Sequence, residues 1–94
     1  MYGTIGHLHV KSGYEKSLIN YYDEFANRPG VVTISIYNMD DSARDYYLTI
    51  IWENKAAHDS IVASPEFPAL YDQLLVMLEG DAEWHSGECV YSKT

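Results

Sequence analysis

Residues 46–78 read YYLTIIWENKAAHDSIVASPEFPALYDQLLVML, and the order of elements in this stretch decides the fold. Tyr46 to Trp52 is a run of aromatic and β-branched side chains, the composition of a buried strand. Glu53 and Asn54 stop it. With Asn54 able to cap the next turn, a short helix is predicted from Lys55 to Ala63, carrying His58, Ile61 and Val62. Ser64-Pro65 breaks it. A longer amphipathic helix is then predicted from Glu66, capped by Ser64 with Pro65 at its first position, where a missing N–H costs nothing. Its apolar stripe is Phe67, Leu70, Tyr71, Leu74, Met77 and Leu78, and Gly80 is the stop. One strand feeding two helices is the middle of an α+β sandwich.

Upstream, Tyr2 to Val10 alternates loosely, with Ile5, His7 and His9 on one face and Thr4, Gly6, Leu8 and Val10 on the other. This is a strand covered on both sides, and Gly3 and Gly6 weaken it and let a neighbouring backbone or a ligand come close. Ser12-Gly13-Tyr14-Glu15 is a capping-box pattern, and Tyr14, Leu18, Tyr21, Tyr22 and Phe25 recur at helical spacing to about Ala26. Arg28-Pro29-Gly30 ends that helix. Val31 to Asn38 is a second strand, joined through the polar turn Asp40-Asp41-Ser42 to the strand Asp45 to Trp52 as a hairpin. Downstream, Glu83 to Tyr91 is a fourth strand.

The order is β-α-β-β-α-α-β, a ferredoxin-like α+β domain with a four-stranded antiparallel sheet and its helices on one face. The strands carry apolar side chains on both faces. The face without helices is therefore expected to meet a second copy in a two-fold homodimer.

The 94 residues make one domain, which buries only roughly 60–65% of its unfolded surface. Fourteen acidic against six basic residues give a net charge of -8, which repels phosphate backbones and anionic lipid, so no nucleic-acid or membrane partner is expected. A single Cys89 excludes an internal disulfide and a thiolate-rich zinc site. With no basic leader and no long apolar run, a soluble cytoplasmic protein is expected.

Three stretches carry a likeness: Val10-Lys11-Ser12-Gly13 after the first strand, Arg28-Pro29-Gly30-Val31 before the second, and Trp52-Glu53 followed by Ala63-Ser64-Pro65-Glu66-Phe67. On them the chain resembles a single antibiotic biosynthesis monooxygenase domain of the dimeric α+β barrel superfamily, over nearly its whole length. The resemblance implies a pocket in each subunit between sheet and helices; in the cofactor-free oxygenases of the family O2 reacts there directly with an activated, small aromatic substrate, and no cofactor or metal is expected here. Trp52 matches the tryptophan those enzymes place in the pocket. Quinol-forming members carry an asparagine one turn of alternation earlier, where this chain has Leu48; their pocket tyrosine falls on His58 and their helix arginine near Tyr71. Oxygenase chemistry here must therefore use other groups. In the haem-degrading branch the pocket tryptophan falls near Ile61, the ligating histidine near Tyr71 and the first-strand asparagine on Gly6 or His7, which disfavours haem degradation.

His58, six residues after Trp52, is the candidate base, because an imidazole is the side chain suited to removing a phenolic proton near neutral pH. Tyr71, one turn after Phe67, is expected to orient the substrate through its hydroxyl, and Trp52, Tyr21 and Phe67 to bind it. Each of these aromatics also suits plain core filling. His7 and His9 share a strand face about 6.5–7 Å apart, and His85 on an adjacent fourth strand would complete a trio of imidazoles. No carboxylate or cysteine stands at metal-like local spacing, so histidines packed at the dimer seam are expected instead. Cys89 lacks a basic neighbour and reads as inert, and Asp40, Asp41 and Asp45 as a solvated turn. The rival to an oxygenase is a non-catalytic dimeric module that binds a small apolar ligand or only supports self-association. An enclosed void of ~300 Å³ or more with several polar tips favours the enzyme, and a filled interior favours the module.

Overall fold

A computed structural model describes residues 1–93. Four strands, β1 (Tyr2–His9), β2 (Val31–Asn38), β3 (Asp45–Trp52) and β4 (Glu83–Glu88), and three helices, α1 (Glu15–Phe25), α2 (Lys55–Val62) and α3 (Phe67–Val76), follow one another as β1-α1-β2-β3-α2-α3-β4. The sheet is antiparallel throughout, in the order β2-β3-β1-β4. This is the ferredoxin-like α+β arrangement expected, with β1 central and next to β4.

Side-chain alternation divides the sheet cleanly. Tyr2, Thr4, Leu8, Val10, Leu48, Ile50 and Trp52 are buried on one face, against Leu18, Tyr22 and Phe25 of α1, Ile61 of α2 and Leu74 of α3. The register places Ile5 opposite Thr49 and His85, so these residues share the other face, where Ile5 is 51% exposed. That face carries no helix.

Local corrections have physical causes. The capping box at Ser12 does not form: Gly13 turns the chain at φ 90°, Tyr14 becomes the N-cap, and Glu15 Oε1 reaches back only to the Gly13 N–H at 3.3 Å. Ser64 does not cap α3 either. Its hydroxyl donates to the Ile61 carbonyl at 2.7 Å, closing the end of α2, and α3 begins behind Glu66 with Pro68, not Pro65, in its first turn. Asn54 does cap α2, accepting from the Ala57 N–H at 2.9 Å. The last strand stops at Glu88, so Cys89 lies just beyond it, exposed. Among the described residues, no helix is long and apolar enough to cross a membrane.

Candidate functional site

Between the helical face of the sheet and the three helices lies a cavity of about 280 Å³, slightly smaller than the enclosed void expected of an enzyme and partly open to solvent. Its walls are mostly apolar: Phe25 from α1, Ile50 and Trp52 from β3, Ile61 and Val62 from α2, Phe67 and Leu74 from α3. Polar groups enter at a few points. The five residues expected to form a site, Trp52, His58, Tyr71, Tyr21 and Phe67, all line this one chamber.

Trp52 ends β3 and is 2% exposed. Its indole N–H donates to Thr4 Oγ1 at 3.0 Å, and Thr4 Oγ1 lies 3.0 Å from Ser86 Oγ. Thr4 and Ser86 are register partners on β1 and β4, so three strands hold this polar strip on the chamber floor. His58 stands edge-on to Trp52, ring centroids 5.4 Å apart, with Tyr2 at 5.2 Å on another side. Its Nδ1 lies 2.9 Å from Asp59 Oδ1. An ionised carboxylate only accepts hydrogen bonds, so Nδ1 carries the proton and a neutral His58 keeps its lone pair on Nε2. Hydrogen bonds from Lys55, at 2.9 Å, and then from His58 hold the Asp59 carboxyl below its ordinary range, which keeps it ionised.

The tyrosines divide by their partners. Tyr21 donates its hydroxyl to the Leu70 carbonyl at 2.8 Å, tying α1 to α3, so it meets a guest with its ring. Tyr71 accepts the indole N–H of Trp84 at 2.9 Å. Indole donates only, so the Tyr71 hydroxyl hydrogen remains available to the chamber. Tyr22 is 4% exposed and also lines the chamber. Burial pushes the Tyr21 phenol up to about 12, with Arg28 opposing the rise and Tyr71 adding to it; burial, then Tyr21 and Tyr71, raise Tyr22 as well. Both are neutral phenols at physiological pH, donors and not bases. Among the side chains of the chamber wall, His58 is the imidazole.

No family model and no curated protein matches the sequence. Solved structures do. SnoaB, a cofactor-independent oxygenase from Streptomyces nogalater, superposes with a TM-score of 0.80 at 17% identity, over 97% of this chain and 94% of that one. The fold is that of antibiotic biosynthesis monooxygenases. A crystal structure of an antibiotic biosynthesis monooxygenase matches with a TM-score of 0.73 at 15% identity, over 97% of this chain and 100% of that one. A Mycobacterium tuberculosis protein matches at 0.75 and 13%, over 99% and 98%.

Within this fold, the chamber residues that the sequence did not reveal are Trp84, Thr4 and Ser86. Trp84 was readable only as a strand residue, but it sits opposite Gly6 in the register, and a side chain at Gly6 would occupy the space its indole fills. The glycine was the available signal. Leu48, which replaces the quinol-forming members' asparagine, is fully buried and does not line the chamber. The three strand histidines do not converge. His85 pairs with Glu83 at 2.8 Å, while His7 and His9 gather around Asp45.

Proposed function

We propose that the protein is a cofactor-independent monooxygenase acting on a small aromatic or quinol-like molecule held between sheet and helices. The observation that carries this reading is the position of His58: a titratable imidazole, oriented by Asp59, on the wall of an aromatic chamber. Trp52, Tyr21 and Phe67 stack on and enclose the ring of the guest, and the free Tyr71 hydroxyl hydrogen fixes an oxygen of it. His58 removes one proton from the ring system. The resulting anion passes an electron to O2, and the radical pair joins as a substrate peroxide. Protonation and loss of water then turn a ring CH2 into a carbonyl, so that one oxygen atom stays and the other leaves as water. The same proton transfer suits a hydroquinone, whose anion is likewise electron-rich. Two copies paired through the helix-free sheet face, on which Ile5 is exposed, complete the working unit.

Oxygen uptake with a panel of hydroquinones and phenolic ketones, with no flavin or metal added, tests the reaction. Turnover that falls roughly 10²–10⁴-fold in His58→Ala supports it. Tight guest binding with no oxygen consumption would replace the enzyme by the non-catalytic binding module. Unchanged turnover in His58→Ala would remove the assigned base. Sedimentation as a single chain at micromolar concentration would remove the paired unit.

A further inference from the structure

On the sheet face opposite the chamber, β1 and the first residue of β3 bring together a second set of polar groups. His7 and His9 project from β1 to the same side, and antiparallel pairing sets Asp45 across from His9 and Tyr47 across from His7. Asp45 Oδ1 lies 2.7 Å from His9 Nδ1 and 3.2 Å from His7 Nε2. One donor atom from each residue lies within 4.8 Å of the other two. A tetrahedral ion that holds its ligands at about 2.1 Å keeps them roughly 3.4 Å apart, so small side-chain rotations bring all three onto one ion.

We propose that His7, His9 and Asp45 form a two-histidine, one-carboxylate site for a divalent transition ion of the zinc class. Two imidazoles and one carboxylate, with no thiolate, make a donor set that suits zinc, nickel or copper better than magnesium or calcium. The groups are held in place. Tyr47 stacks on the His7 ring at 4.4 Å and 4°, and the Asn38 side chain donates to the carbonyls of Ser42, Ala43 and Asp45, which locks the turn that delivers Asp45. Such outer supports fix ring orientation in metal sites. Three protein ligands from one sheet face leave the remaining coordination positions to water or to a group of whatever covers that face. The site is separate from the chamber chemistry, since odd-numbered β1 residues face away from it.

The test uses the full chain, stripped with a chelator and titrated with zinc chloride in a calorimeter. One ion per chain is expected, bound at least about tenfold more weakly by Asp45→Asn and by His9→Gln, and unchanged in His85→Ala. His9 is 47% exposed, so His9→Gln retains the fold and decides the question if Asp45→Asn does not. Cobalt chloride should give visible d–d bands with the wild type that are absent from His9→Gln. Absence of binding by the wild type, equal binding by His9→Gln, or loss of binding only in His85→Ala would overturn the site.

Discussion

Trp84 packs against Gly6, so close that a Cβ there would meet the indole ring, and the same indole holds the Tyr71 hydroxyl at 2.9 Å. Gly6→Ala must therefore push Trp84 off the sheet, which is overpacking with a cost of about 1–3 kcal/mol. Urea unfolding should show that loss. Turnover should fall as well, because Tyr71 loses the bond that aims it.

Asn54 holds the first turn of α2, the helix that presents His58. Asn54→Ala should lower stability by about 1 kcal/mol in a thermal melt. Under the proposed mechanism, the pH profile of turnover should keep its shape while its height drops, since His58 is misplaced and not removed.

Alkaline pH should unfold the protein through its buried phenols. Tyr21 is raised by burial to about 12, and Tyr22 is raised for the same first reason. A folded value above the unfolded one gives stability that is complete below pH ~10 and is lost as pH climbs toward 12. Tyrosinate absorbance should show this pair ionising after the exposed tyrosines. Tyr21→Phe should reduce the alkaline loss, at a cost near neutrality of about 1 kcal/mol for the missing bond to Leu70.

Leu48 is fully buried at the centre of β3 and touches no part of the chamber wall. Leu48→Ala should cost about 2–5 kcal/mol in denaturant unfolding, with no change in the affinity of a bound guest. Weaker guest binding at unchanged stability would mean that this position contacts the substrate.

The strands were legible because β-branched and aromatic runs such as VVTISIY leave the chain few other conformations. The chamber residues on α2 and α3 were legible for a related reason, since helical spacing after Trp52 puts His58 and Tyr71 on the inner side. Caps were less so: Ser12 and Ser64 carry the right side chains, but Gly13 at positive φ and the tight α2 exit redirect the backbone around them. The gathering of Asp45 with His7 and His9 was invisible for a different reason. It depends on strand register across 36 residues or more of chain, which no local spacing encodes. Asp45 therefore read as one acid in a solvated turn. Trp84 was hidden in the same way, because its neighbour Gly6 belongs to another strand.

The chain contains two tryptophans, and both of them line the same chamber. Red-edge excitation, which passes over the nine tyrosines, therefore draws all of its emission from that one wall. An arriving guest would be seen by native fluorescence alone, with no dye attached and no residue altered, and candidate molecules can be screened by quenching before any reaction is known.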